Sequence, residues 1–321
     1  MIIGCGSIGK RHVKNACDLS ETAVFDENNN LAKSIAKENN ALAFNSLKTA
    51  FDWEPDGVIV ATPNHTHVPI GIKVLEAGFD VLIEKPISND LASANTLIEQ
   101  AKKLKKKIFV VCNMRFHSGI KVLRKNLHKL GKPKFAIAHV GHYLPNMRPG
   151  ADYRELYASN KSMGGGVVLD AIHEIDYLIN FFGSVKSVKS TLGKLSDLEI
   201  DVEDYAEIIL IHNNNVHSSL HMDYMRQFKR RGCEIVGDNG MLLWQSEGKS
   251  PEFCQVNFYS CNGSKVENLF DGIIDDPNEM YKELLINFCD AIKGRNHYLL
   301  NGSQALQQLK IVKNIKKTNN F

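Results

Sequence analysis

At 321 residues and 35.9 kDa the chain exceeds what one hydrophobic core usually holds, so two domains are expected. A 43% hydrophobic and 23% charged composition excludes a disordered chain, and 39 basic against 36 acidic side chains leave +3, too little to imply a nucleic-acid or membrane partner. No apolar run reaches the roughly 18 residues that span a bilayer, and seven cysteines without a C-x-x-C pair suit a reducing cytoplasm rather than a disulfide framework or zinc knuckle.

The chain opens on Met1-Ile2-Ile3, read as a strand, and turns at once into Gly4-Cys5-Gly6-Ser7-Ile8-Gly9. Three residues are fewer than the usual ~5 of a strand, so a few more are expected upstream. Apolar runs without polar alternation follow at 23–25, 58–61, 81–83 and 108–112, as in strands buried on both faces of a parallel sheet. Helical stretches at 8–19, 29–39, 66–77 and 90–105 separate them, with Gly78 composed as a helix C-cap. This alternation predicts an α/β fold, doubly wound, over residues 1–115.

A further helix is expected over 117–130, and then the texture changes. Strand candidates at 134–143, 185–192, 205–212, 216–224, 232–236 and 254–259 include clear alternation, as in Val216, Ser218, Leu220 and Met222 against His217, Ser219, His221 and Asp223. That pattern predicts a half-exposed antiparallel sheet in a second domain, 116–321. One long helix at 166–182 precedes most of it, and helices at 278–292 and 303–316 close the chain, the last packing back on the first domain.

The G-x-G-x-x-G element is placed as a dinucleotide loop requires, between a strand and a helix. Gly4, Gly6 and Gly9 allow the tight turn and close backbone approach, while Ser7 and Ile8 open the helix whose N-terminus faces a pyrophosphate. Asp26 ends the second strand about twenty residues on, where a carboxylate accepts ribose hydroxyls and repels a 2′-phosphate. NAD is therefore expected over NADP.

Three more segments end strands: Ala61-Thr62-Pro63-Asn64-His65-Thr66-His67, Glu84-Lys85-Pro86 and Asn113-Met114-Arg115-Phe116. Ligands bind at the carboxyl ends of strands in open α/β sheets. With Gly164-Gly165-Gly166 leading to Asp170 and His173, this set resembles the glucose–fructose oxidoreductase, inositol dehydrogenase and rhizopine catabolism (Gfo/Idh/MocA) family over nearly the whole chain. The resemblance implies a Rossmann domain followed by an α/β domain with an open-faced, mostly antiparallel sheet. It also implies a sugar or cyclitol bound between the domains, and a homo-dimer or homo-tetramer formed through the back of that sheet. It implies that Lys85 reaches the nicotinamide ribose and the reacting hydroxyl, beside Glu84, with Pro86 shaping a turn through a cis bond. Thr62, Pro63, Asn64 and His67 would line the cofactor, and Asn113 and Arg115 would border nicotinamide and substrate.

On the residues alone, a lysine at the buried end of a parallel strand is costly unless partnered, and its pKa is then tunable. Asp170 and His173, three apart on one helix, share a face, as do His173 and Asp176. Histidine is the natural proton acceptor near neutrality, so His173 is expected to take the hydroxyl proton as hydride departs. Asp170 would orient it or bind a neighbouring hydroxyl. The family commonly spaces this Asp and His by four residues, which leaves Asp170 and Asp176 both open as the partner.

The loop from Tyr143 to Arg154 is long, aromatic and basic. Tyr153 suits a sugar face and Arg154 a phosphate or carboxylate, with Asp176 and Arg115 completing a substrate set. The stretch around Asp152-Tyr153-Arg154 and His173-Glu174-Ile175-Asp176-Tyr177 is similar to a subgroup linked with bacterial surface-sugar synthesis. His217 and His221 lie ~13 Å apart along a strand at about 3.3 Å per residue, too far to chelate one ion, so no metal is expected. The leading reading is an NAD-dependent dehydrogenase of a sugar or cyclitol hydroxyl. An NAD-recycling sugar-modifying enzyme and a catalytically silent NAD sensor stand as alternatives.

Overall fold

The computed structural model describes residues 1–249, 251–263 and 265–319. The chain divides into two compact units. One comprises Met1–Asn113 with Asn278–Lys310, the other Met114–Pro277 with the residues from Ile311 onward.

The first unit begins β1 (Ile2–Ile3), α1 (Ser7–Cys17), β2 (Ala23–Phe25), α2 (Asn29–Asn39), β3 (Leu42–Phe44) and α3 (Leu47–Asp52). It continues β4 (Gly57–Val60), α4 (His67–Glu76), β5 (Asp80–Ile83), α5 (Leu91–Leu104) and β6 (Ile108–Val110). These strands form a sheet in the order β6-β5-β4-β1-β2-β3, all parallel. The order reverses direction at β1, the switch point where such sheets bind ligands. Val58, Val60, Val81, Leu82 and Ile83 are wholly buried because helices cover both faces. Polar caps fix the helix starts: Asn28 accepts from the Leu31 amide and Asp90 from the Ser93 amide. Gly78 follows α4 with φ +91°, as its composition suggested.

The second unit comprises α6 (Ser118–Asn126), β7 (Pro133–Gly141), α7 (Val167–Asp170), α8 (Ile172–Phe182), β8 (Val185–Gly193), β9 (Tyr205–His212) and β10 (His217–Asp223). It adds β11 (Arg230–Gly237), β12 (Gly240–Gly248), β13 (Glu252–Ser260) and β14 (Val266–Ile274). Its sheet runs β14-β13-β12-β11-β7-β10-β9-β8, antiparallel except for the parallel pair β10 and β7. One face is dry, with Ala136, Ala138, Leu220, Ile235, Leu242 and Trp244 beneath helices. The other is open: Phe135, Ile137 and Ile209 are 39%, 47% and 42% exposed. Gly119 lets α6 approach the sheet, since a Cβ there would stand 2.2 Å from Trp244 Nε1.

The chain then supplies α9 (Glu279–Ile292), β15 (Leu300–Asn301) and α10 (Gly302–Thr318). The strand β15 pairs antiparallel with β6 and extends the first sheet. The expected boundary therefore shifts: α9 belongs with the first unit, where Phe288 meets Phe109 edge-on at 6.0 Å. A second expectation is corrected as well. The single helix over 166–182 is two, because Ala171 leaves helical geometry (φ −92°, ψ +30°) between α7 and α8. Strands β3, β12 and β14 carry no clear sequence signal. The first has only three residues, and β14 buries none of its nine fully.

Candidate active site

In the first unit the glycine loop is built by exclusion. Gly4 holds φ +96°, and a Cβ on it would lie 2.7 Å from the Ala61 carbonyl oxygen. On Gly9 a Cβ would fall 1.9 Å from the Gly4 oxygen, so strand, loop and helix pack only as glycines. Gly6, by contrast, faces open space and caps α1 with no side-chain hydrogen bond. The first amides of α1 thus remain available to an anion, with Ser7 exposed and Ile8 half-buried beside them. Asp26, at the end of β2, accepts from the Cys5 amide at 2.7 Å and the Asn28 amide at 2.8 Å. These bonds hold its carboxylate against the loop. The arrangement fits a dinucleotide: anion-seeking amides, an open Cβ position and a fixed carboxylate for ribose hydroxyls.

The loop after β4 coils into a short 3₁₀ turn, Asn64–Thr66. Thr62 and Asn64 are half-buried and Pro63 is exposed. Thr66 Oγ1 donates to Thr62 Oγ1 at 2.7 Å, tightening the turn. His67 departs from its expected lining role, because it is 0% exposed. Its Nδ1 lies 2.8 Å from the Pro86 carbonyl and its Nε2 2.9 Å from the Thr62 carbonyl. Burial lowers its pKa, opposed by these two carbonyls. A ring so enclosed acts on the loops from behind.

After β5, Glu84 is nearly buried and Lys85 half-buried, and the Lys85–Pro86 peptide is cis. Glu84 Oε1 is 2.8 Å from His12 Nε2, and its Oε2 accepts from the Lys85 amide at 3.2 Å. Asn113, half-buried, ends the first unit just past β6. The glycine loop, Asp26, the Thr62 turn, Lys85 and Asn113 all stand at carboxyl ends of parallel strands in one sheet.

In the second unit the triglycine is explained by Glu203, a residue no sequence signal marked. A Cβ on Gly166 (φ +107°) would meet Glu203 Oε1 at 2.2 Å. Glu203 also accepts from the Val168 amide and pairs with Lys316 at 3.1 Å. It thereby anchors the start of α7. Asp170 ends α7, 9% exposed, and accepts a hydrogen bond from the Tyr157 hydroxyl. His173 sits half-buried in the first turn of α8. The break at Ala171 means that no continuous helix sets the Asp170–His173 spacing. The His142 and Tyr224 rings meet at a 57° tilt with centroids 5.3 Å apart in the same unit. Burial lowers the His142 pKa and Asp170 opposes the shift.

Arg115 and Asp176, expected to meet substrate, instead meet each other. Arg115 Nε and Nη2 each donate at 2.8 Å to the two Asp176 oxygens, and the residues are 4% and 1% exposed. The bidentate pair binds α8 to the chain before α6. Tyr153 and Arg154 lie in a 3₁₀ turn. Arg154 is exposed, with Asp152 and Glu199 each at 2.7 Å, and the Tyr153 hydroxyl accepts from the Glu199 amide. Among the described residues no group of three or more His, Cys, Asp or Glu is placed to hold a metal ion. No described helix is long and apolar enough to cross a membrane.

Comparison with known proteins identifies the family and fold. The model of the oxidoreductase family with an NAD-binding Rossmann fold (GFO_IDH_MocA) matches residues 1–112, and that of the GFO/IDH/MocA C-terminal domain matches 126–243. UDP-N-acetylglucosamine 3-dehydrogenase of Acidithiobacillus ferrooxidans is 26% identical over 314 residues, covering 92% of each chain. Glucose-6-phosphate 3-dehydrogenase of Bacillus subtilis is 26% identical over 307 residues, 87% of this chain and 83% of its own. An oxidoreductase from Agrobacterium radiobacter, solved with NAD+, L-tartaric acid and magnesium, superposes with a TM-score of 0.85 at 17% identity, covering 99% of this chain and 95% of that one. The WlbA dehydrogenase of Bordetella pertussis, solved with NADH and UDP-GlcNAcA, gives 0.77 at 19%, covering 99% and 95%. With both halves matched and the glycine loop, Asp26 and the Lys85 turn on one sheet, the chain is an oxidoreductase of the Gfo/Idh/MocA family, built on that family's NAD-binding Rossmann domain.

Proposed function

We propose that the protein is an NAD-dependent dehydrogenase acting on a secondary hydroxyl, or the corresponding ketone, of a sugar, cyclitol or sugar derivative. UDP-linked N-acetylhexosamines of surface-sugar synthesis are the first candidates. The carrying observation is the gathering of the glycine loop, Asp26 and Lys85 at the carboxyl ends of one parallel sheet. NAD, when bound, supplies the hydride acceptor. Asp26 favours it over NADP, since a fixed carboxylate repels a 2′-phosphate.

In the oxidative direction the carbinol carbon loses hydride while its oxygen loses a proton. His173 takes that proton, and Asp170, held by Tyr157, steadies the charge that develops. Lys85 places an ammonium at the alkoxide-like oxygen, where fixed charge lowers the barrier. Tyr153 and Arg154 contribute to recognition of the sugar and its anionic group. The homologous UDP-N-acetylglucosamine and glucose-6-phosphate 3-dehydrogenases support this substrate class.

The test is purified protein with NAD and, separately, UDP-N-acetylglucosamine, its uronic acid, glucose 6-phosphate and myo-inositol, followed at 340 nm. Turnover that Lys85→Met and His173→Asn each lower by about 100-fold or more is expected. Turnover unaffected by both substitutions refutes the proposal. The open sheet face is read as a self-association surface, because Phe135, Ile137 and Ile209 are large apolar side chains exposed on one side of it. Sedimentation showing only monomer would refute that part. Cys5, Cys112, Cys233 and Cys254, buried and not joined in disulfides, support action in a reducing cytoplasm.

A further inference from the structure

Two buried histidines have no part in the chemistry just described, yet both are aimed at the turn that carries Lys85. His12 and His67 are each 0% exposed. His67 opens α4, one residue beyond the Thr62–Thr66 turn, and reaches the carbonyl of Pro86 on one side and that of Thr62 on the other. The ring lies between the loops after β4 and β5; as a neutral imidazole it carries one N–H and donates to one of the two carbonyls, and the Nδ1–H tautomer holds Pro86. His12 lies in α1, less than one helical turn beyond Gly9, and holds Glu84 Oε1. The second oxygen of Glu84 accepts from the Lys85 amide. His12 Nδ1 has no hydrogen-bond partner among the described residues, so its proton belongs on Nε2, facing the carboxylate. Tyr281 packs edge-on against His12 at 5.9 Å, under the Arg11 guanidinium at 4.7 Å, and limits the ring's rotation.

We propose that His12 and His67 are positioning residues for Lys85: each ties the Lys85 turn to a helix that begins at a cofactor loop, one through Glu84 and one through the Pro86 carbonyl. Hydrogen bonds sealed from water hold geometry that an exposed turn would lose, and placement within about 0.5 Å is what a catalytic ammonium requires. The arrangement also links the two loops to one another, so that ordering either by ligand restrains the other. The inference rests on the role assigned to Lys85 above, and the experiment separates the two.

Hydrogen exchange is measured on the full chain for wild type, His12→Phe, His67→Phe and the milder His67→Gln, together with NADH affinity from nicotinamide fluorescence. In the substituted proteins, exchange across 84–88 is expected to quicken at least tenfold while the β4 amides stay protected. NADH affinity should fall about tenfold in His67→Phe, and in a Lys85→Met background His67→Phe should cause no further fall. Unchanged exchange at 84–88 in His12→Phe and His67→Gln overturns the inference. An equal affinity loss with and without Lys85 also overturns it, because a general packing defect behaves that way. Quickened exchange combined with no effect of Lys85→Met on NADH overturns the reading of Lys85 and leaves the two histidines as the staple of the turn.

Discussion

Asp176→Ala tests the reassignment of the Arg115–Asp176 pair. The substitution removes both 2.8 Å bonds to a guanidinium that is 4% exposed. Breaking a buried pair from one side costs about 3–5 kcal/mol, whereas an exposed pair is worth at most about 1 kcal/mol. With a urea dependence of roughly 1–3 kcal/mol/M, the unfolding midpoint of the second unit should fall by at least ~1 M. The chain has two tryptophans, Trp53 and Trp244, and Trp244 is wholly buried in the second unit. A Trp53→Phe background therefore isolates that unit's transition, which matters because two units need not unfold together. Asp176→Asn keeps the shape and should cost less, about 1.5–3 kcal/mol for a lost charged hydrogen bond. Arg115→Met with Asp176→Leu should recover much of the loss, as apolar replacements of buried pairs do. If Asp176→Ala leaves the midpoint within ~0.2 M but weakens substrate binding, the pair faces ligand and the structural reading fails.

Other outcomes follow from the same geometry. Asp26→Ser removes the acceptor for the Cys5 and Asn28 amides and should weaken NADH at least tenfold while narrowing its advantage over NADPH; unchanged selectivity in fluorescence titrations would count against the carboxylate. His173→Asn should lower kcat by about 100-fold or more, the ordinary share of a general base, and a fall under tenfold would dismiss it. Gly166→Ala meets both φ +107° and Glu203 Oε1 at 2.2 Å, so the Trp244 transition should lose more than ~1–3 kcal/mol. His221 has a raised pKa, through Asp223 first and then Glu207, so its contribution to stability is complete below the unfolded value near 6.5 and is lost as pH rises through the folded value. Thermal melts of wild type and His221→Gln should therefore converge as pH rises toward 9, and a gap that widens would contradict the sign.

What could be read directly was whatever depends on local chemistry. The glycine loop needs small residues at fixed spacing, and Gly4 and Gly9 stand where any Cβ collides. Asp26 follows from its place at the end of the second strand, about twenty residues past the glycine loop. The alternation of Val216, Ser218, Leu220 and Met222 marked β10, whose even positions are buried against helices. The break at Ala171 was not legible, because helical periodicity continues on both sides of a single non-helical residue. Nor were the pairings. His12 with Glu84 spans 72 residues, Arg115 with Asp176 spans 61, and nothing in either segment names its partner.

The amino-acid order by itself determined the parallel sheet, the dinucleotide loop and the residues able to move a proton, because each follows from backbone sterics, burial period or side-chain type. Tertiary structure alone decided which of those groups are enclosed. It turned His67 from the cofactor to two carbonyls and neutralised Arg115 with Asp176, since a buried charge or donor must find a partner and only folding brings that partner near.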